Sequence, residues 1–424
     1  MSRPIFVRGA RQLLTLRGPT GSRRGTDLGN LGIIPDGAVL IADGLIREVG
    51  STRRLENLAE ARRADEIDAT GCVVLPGFVD SHTHLVGGPA RLFDYEMGLA
   101  GATRAEIARA GGGFGAISKT MQDVSVHTLE SQAVRVLGEC IRQGTTTLEA
   151  KSGYGLTETG ELKILRAHGS LNGQFGTLVS TFMAGREIPD GYEHGSGEYI
   201  EWLCAHLLPL VQRRKLARFV DISCDEGAFS IDDTRRFLSA AKQLGFGLKV
   251  HAAEQANTGA VKLAVELEAI SVDHVVKVDE EDIELLAGSS TIATLLPGSS
   301  FFLSTKSYAP ARRLIDQGVA VAIATNYNPE TCPSHNMQMI VSLACNKMNM
   351  TPAEAISAAT INGAHALGLG ERIGSVEAGK QADLVILDVP DYREIPYHFA
   401  VNLAKTTIKK GHVIYRASEV QWPS

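Results

Sequence analysis

The chain has 424 residues, 44% of them apolar and 21% charged, with a formal net charge of -6. That is too apolar for a disordered chain, and its charges are too evenly mixed to offer the basic field on which nucleic-acid binding depends. No apolar run reaches the roughly 20 residues of a membrane span, and the opening MSRPIFVRGARQLLTLRG lacks the continuous apolar stretch of a secretory signal, so a cytoplasmic protein with neither membrane nor nucleic acid as partner is expected.

The first element is a hairpin. In GAVLIADGLIREVG two β-prone runs flank Asp43-Gly44, a pair suited to a tight two-residue turn. Further on, short β-branched or apolar runs recur with helix-like stretches between them: VVLPGFVDSH, TTTLEA, TLVSTFM, RFVDISC, LKVHA, ISVDHVV, TIATLL and VAVAIATN. Strands alternating with helices imply parallel βαβ units, and eight of them close into a (β/α)8 barrel of about 250 residues. The last segments, GSVEAGKQADLVILDV and TTIKKGHVIY, return to the β-and-glycine grammar of the beginning. The expected fold is therefore α/β: a TIM-type barrel over residues 71–370, with a small β-sandwich domain formed by residues 1–70 and 371–424 together. Forty-four glycines against fifteen prolines, without a collagen period, suit the many turns this requires.

Six cysteines at 72, 140, 204, 224, 332 and 345 include no C-x-x-C pair, which excludes a zinc knuckle and suggests no disulfide framework. Cys332 stands apart only because it lies in the polar stretch NYNPETCPSHN, where a loop thiol is the simplest reading.

The residues able to carry chemistry fall where the barrel strands end. In Asp80-Ser81-His82-Thr83-His84 the two imidazoles are two residues apart, so on a strand both face the barrel mouth. His251 closes LKVHA with Glu254 three residues on, His274 closes ISVDHVV, and the eighth run ends in Thr325-Asn326-Tyr327-Asn328. A barrel gathers all these ends on one rim. A divalent ion held by imidazoles lowers the pKa of bound water to about 7, which provides a hydroxide for C–N hydrolysis, and Glu254 and His274 are the acid/base groups at hand.

With PGFVDSHTHLV, GTTTLEAKSGYGL, ETGELKILR, TIATLLPGSSF, ATINGAHALGL, AGKQADLVILD and IPYHF, nearly the whole chain resembles the imidazolonepropionase family of the amidohydrolase superfamily. The H-x-H and AGK-ADLVI signals are common to the superfamily, whereas KSGYGL, ATLLPG and the IPYH ending are more particular to this family. The resemblance implies hydrolysis of 4-imidazolone-5-propanoate to N-formimino-glutamate in histidine degradation, with one zinc or iron ion as cofactor. It also implies a homodimer acting on a small anionic heterocycle. It makes His82, His84, His251 and Asn326 the metal positions, with Glu254, His274 and Asn326 catalytic. Arg91, Tyr154, Arg186 and Asn328 take the substrate positions. A guanidinium fork at Arg91 suits the propionate, and Lys151 reads as structural or anion-facing.

The chain departs from the family at the end of strand eight, where Asn326 replaces an aspartate, which marks either a divergent paralogue or an Asp-to-Asn variant. It departs again after strand three, where Arg186 replaces a histidine, and at Ala253, Glu330, Thr331, Cys332 and His335. These changes surround the ring end of the expected ligand. They leave open a paralogue acting on a hydantoin- or 2-thioxohydantoin-type propionate, with Arg186 on a ring carbonyl, or a non-catalytic ligand-binding relative.

Overall fold

The computed structural model describes residues 3–173, 176–189 and 195–418. The N-terminal strands are β1 (Ile5–Leu14), β2 (Ile33–Ala42), β3 (Leu45–Ser51), β4 (Asp65–Asp68) and β5 (Val73–Pro76). There follow β6 (Phe78–Asp80), β7 (Thr145–Lys151), β8 (Thr177–Gly185), β9 (Phe219–Cys224), β10 (Gly247–Ala252), β11 (Ser271–His274), β12 (Ile292–Leu295) and β13 (Val321–Ile323). The chain ends with β14 (Leu384–Leu387), β15 (Ala404–Lys409) and β16 (His412–Arg416).

One sheet runs β16-β15-β14-β5-β1-β2-β3, with β4 also on β1, so both chain ends build it, as expected of the small β-sandwich domain. Its strands alternate between two faces. Val39 and Ile41 pack with Val7, Leu13, Leu384 and Ile408 on one side, and Ala38 and Leu40 pack with Phe6 and Leu55 on the other. The hairpin forms at the expected place: Ala42 pairs with Leu45, and Asp43 and Gly44 both take positive φ, 52° and 78°, which matches the twist of the flanking strands.

The second sheet runs β6 to β13 in chain order, and the register given for β8 to β13 is parallel throughout. Parallel barrel strands are buried on both faces, which is why β7, TTTLEAK, is buried at every residue despite its polar content. Helices cover the outside. In Val126–Arg142 the buried residues Leu129, Ala133, Leu137, Cys140 and Ile141 fall on one face. The run VVLPGFVD proves to be two strands rather than one. Val73–Pro76 joins the terminal sheet and Phe78–Asp80 starts the barrel, the break falling at Pro76-Gly77, where a Cβ on Gly77 would lie 2.3 Å from Thr146 Cγ2.

The barrel is brought nearly to closure by the segments beyond its first and last strands. Asn326 N–H donates to His82 O at 3.0 Å, His84 N–H donates to Tyr327 O at 2.8 Å, and Thr83 bridges Tyr327 in parallel register. Two compact units can be delimited, one of Met1–Asp80, Gly138–Thr147 and Asn336–Ser424, the other of Ser81–Leu137 and Leu148–His335. Every residue of the site described next belongs to the second. Among the described residues no helix is long and apolar enough to cross a membrane.

Candidate active site

Charged residues inside the strands form the floor of the site. Lys151 of β7 extends into the barrel and its ammonium meets three carboxylates, Asp221 at 2.5 Å, Glu149 at 3.1 Å and Asp273 at 3.3 Å. Lys249 meets Glu149 at 3.0 Å and donates to Ser81 O at 3.1 Å. All five side chains are fully buried. In β9, β10 and β11 they follow the layers of a filled barrel interior, with Asp221 opposite Lys249 and His251 opposite Asp273. Burial opposes ionisation throughout. The three carboxylates outweigh it at Lys151 and raise its pKa, while His251 and Lys151 outweigh it at Asp221 and keep that carboxyl well below the usual range.

The carboxylates in turn hold the imidazoles above them. His82 Nδ1 lies 2.7 Å from Asp273 Oδ2, and His251 Nδ1 lies 3.0 Å from Asp221 Oδ2. A carboxylate at Nδ1 fixes ring orientation and leaves Nε2 with its lone pair exposed for another partner. For His82 that atom is buried and has no hydrogen-bond partner among the described residues. Burial, reinforced by Lys151, keeps His82 well below its ordinary pKa, and burial with Arg186 does the same for His84. Both rings are therefore neutral at pH 7.

His82, His251 and His274 each offer a nitrogen within 4.8 Å of the other two. Two further donor groupings, His82–Glu149–Asp273 and Asp221–His251–Asp273, share the carboxylates that already face the Lys151 ammonium, so the histidine trio is the grouping open to a cation. His84 stands beside it, its ring centroid 5.7 Å from His82 and 6.2 Å from His251. Both of its nitrogens are within 3.3 Å of Arg186 Nη1. Asn326 closes the rim. Its Nδ2 donates to Ser299 Oγ at 2.8 Å while Oδ1 is buried and unpartnered among the described residues. Two acceptors orphaned among the described residues, His82 Nε2 and Asn326 Oδ1, beside clustered imidazoles make a donor set that fits a divalent ion.

The acid/base pair is also assembled. Glu254 Oε2 lies 3.7 Å from His274 Nδ1, with Glu254 about 29% exposed and His274 nearly buried. Asp225, at the end of β9, accepts from the backbone N–H groups of Glu254 at 2.6 Å and Ala256 at 3.0 Å, which fixes the turn that presents Glu254. Ala253, His274, Val275 and Asn326 all have φ between 45° and 81°. Such backbone is costly for residues with a Cβ, most of all β-branched Val275.

The remaining expected residues are distributed unequally. Arg91 forms a bidentate pair with Asp94, Nε donating to Oδ2 at 3.1 Å and Nη2 to Oδ1 at 3.0 Å, and reaches Gly113 O. Tyr154 is buried, stacks on Phe114 and donates to Glu330 at 3.0 Å. Its loop is held by Glu161, whose carboxylate accepts from the N–H groups of Gly153, Gly155 and Leu156. Asn328 does not face the pocket with a free group: Oδ1 accepts from Glu330 and Thr331 N–H, and Nδ2 donates to Asn326 O and Thr331 Oγ1. It shapes the turn on which Glu330 stands.

Sequence reasoning assigned no role to Glu149, Asp221, Lys249, Asp273, Asp225 or Glu161. For the first four a signal was present, a charge in the middle of an otherwise apolar strand run, as in RFVDISC and ISVDHVV.

The chain matches the amidohydrolase family model over residues 73–414. It is 44% identical over 425 residues to an imidazolonepropionase of Geobacillus kaustophilus (strain HTA426), covering 99% of each chain, and 38% identical over 421 residues to one from Alkaliphilus oremlandii (strain OhILAs), covering 99% of this chain and all of the relative. Among solved structures it is similar to E. coli guanine deaminase, with TM-score 0.70, 15% identity and coverage of 99% and 100% of the two chains. It is also similar to a zinc-bound adenosine deaminase from Xanthomonas campestris, with TM-score 0.68, 18% identity and coverage of 96% and 92%. At such identities the structural likeness establishes the fold.

Proposed function

The chain belongs to the amidohydrolase family and, within it, to the imidazolonepropionases, and from that premise we propose that it hydrolyses 4-imidazolone-5-propanoate to N-formimino-glutamate. This is a step of histidine degradation, and we place it in the cytoplasm, carried out by a homodimer. The observation that carries the reading is the histidine trio, one of whose members, His274, is paired with Glu254. Conversion of this substrate to this product requires cleavage of the ring amide. Water oxygen bonds to the carbonyl carbon, the C–N bond breaks, and the departing nitrogen gains a proton.

His82, His251 and His274, with His84 and Asn326 adjacent, would hold one divalent ion, zinc or iron, which when bound supplies Lewis acidity to water and carbonyl. Glu254 accepts the proton that water loses and delivers it to the ring nitrogen, with His274 holding the carboxylate in place. The Asp273 carboxylate, itself held by Lys151, keeps His82 in one tautomer, so that ring need not reorganise during turnover. Arg91 takes the propionate arm by exchanging Asp94 for the substrate carboxylate, with Tyr154 stacked on Phe114, the residue after the Gly113 whose carbonyl Arg91 reaches.

The test is turnover of 4-imidazolone-5-propanoate by the purified protein and by Asn326→Asp, with metal content measured on both. Stoichiometric metal and turnover are expected in the wild type, with firmer metal retention in Asn326→Asp because a carboxylate replaces a neutral amide oxygen. Absence of turnover in both proteins, each carrying metal, would sink the assignment.

A further inference from the structure

Two groups at the mouth, Arg186 and Glu330, are joined to each other and are not required by the proton transfers above. Arg186 Nη2 donates to Glu330 Oε2 at 2.7 Å. The guanidinium lies over the face of Tyr154, 4.5 Å from its centroid, and 5.2 Å from that of Phe114. Stacking of this kind fixes the plane of the fork. Nη1 points away from Glu330 towards His84. Glu330 is fixed just as firmly. Asn328 Oδ1 accepts from its backbone N–H at 2.8 Å, and Tyr154 OH donates to Oε2 at 3.0 Å. Both protein bonds fall on Oε2, so among the described residues Oε1 accepts none. The two side chains are 17% and 19% exposed, enough for a small ligand to reach them.

The pair therefore presents a charged donor and a charged acceptor side by side, both held by other groups before any ligand arrives. A ring edge in which C=O adjoins N–H has the complementary order, acceptor beside donor. An imidazole has no carbonyl to offer. Resting on the function proposed above, we propose that Arg186 and Glu330 act together as the specificity-determining clamp for the lactam edge that the substrate ring presents in the tautomer with its proton on the nitrogen beside the carbonyl, Arg186 donating to the carbonyl oxygen and Glu330 Oε1 accepting from that N–H. Arg186 then also faces the oxygen on which negative charge develops as water adds. A site built to pair both groups leaves buried charge unmatched when a ring lacks one of them, and it discriminates for that reason.

The test is calorimetric binding of two probes, hydantoin-5-propanoate, which has the edge, and imidazole-4-propanoate, which lacks the carbonyl, to wild type, Glu330→Gln and Arg186→Met. The wild type is expected to favour the hydantoin by about tenfold or more. Each variant is expected to reduce that preference to about threefold or less, with affinity for imidazole-4-propanoate little changed. Glu330→Gln conserves size, so it decides the matter if Arg186→Met proves unstable in a thermal melt. Equal binding of the two probes by wild type, or an undiminished preference in Glu330→Gln, overturns the clamp. Turnover of 4-imidazolone-5-propanoate is scored separately: a preference lost in the variants without any turnover supports the clamp and removes the proposed reaction, while turnover without a preference does the reverse.

Discussion

Replacing Lys151 by methionine removes the one cation shared by Asp221, Glu149 and Asp273. In the intact network two ammoniums face three carboxylates, and in the variant Lys249 alone remains, paired among these carboxylates with Glu149. Methionine fills much of the same volume, so the cost is mainly that of buried charges left without partners, about 3–5 kcal/mol. With an unfolding entropy of roughly 2.1 cal/mol/K per residue and the chain unfolding as one, the melting midpoint falls by about 3–6 °C. The assay is scanning calorimetry at pH 7 on wild type, Lys151→Met and Lys151→Met/Asp221→Asn. Because the penalty lies in the stranded carboxylate, the double variant is expected to be less destabilised than the two single changes added together. A Lys151→Met midpoint within about 1 °C of wild type, or strict additivity in the cycle, would show that the network does not carry this energy.

Three further outcomes follow from other contacts. Asp225→Asn weakens the charge-assisted bonds that hold the Glu254 turn, so steady-state kinetics should show kcat down by about tenfold with KM nearly unchanged and the pH profile keeping its shape. His168 is buried, its Nε2 has no hydrogen-bond partner among the described residues, and burial lowers its pKa from 6.5 to about 3. The unfolded chain therefore binds the extra proton between those values, and stability present above pH 6.5 is lost as pH falls towards 3. By pH 5 the loss is about 2 kcal/mol, which chemical denaturation at pH 7.5 and 5 should detect in wild type and not in His168→Gln. In Gly155→Ala the new Cβ would sit 2.3 Å from Gly160 C and 2.4 Å from Glu161 N, both backbone atoms. Denaturant titration should show a loss of about 1–3 kcal/mol, and KM should rise as Tyr154 shifts.

The alternation of strand and helix patterns made the barrel legible, because parallel strands buried on both faces read as short apolar runs. The hairpin at Asp43-Gly44 was equally plain, since a two-residue turn with both φ positive favours that pair. The division of VVLPGFVD between two sheets was not, because periodicity carries no information about which sheet a strand joins. At the site, strand-end histidines and Glu254 stood out as polar groups closing apolar runs. Glu330 and Asn328 did not have separable roles in sequence: only the turn geometry shows that one faces the pocket and the other builds the loop beneath it. Lys151 was open between structural and anion-facing readings: Glu149 shares its face of β7 two residues away, but Asp221 and Asp273 come from β9 and β11, contacts that no local pattern encodes.

That triple contact also limits what Lys151 can become. Addition of carbon dioxide to a lysine requires the unprotonated amine, and three carboxylates around a buried ammonium reduce that form far below its level on an exposed side chain. Lys151 is thereby protected from conversion into an anionic carbamate. The barrel floor stays cationic at that point, and a second metal ion cannot settle among Asp221, Glu149 and Asp273 without first expelling a tightly held charge.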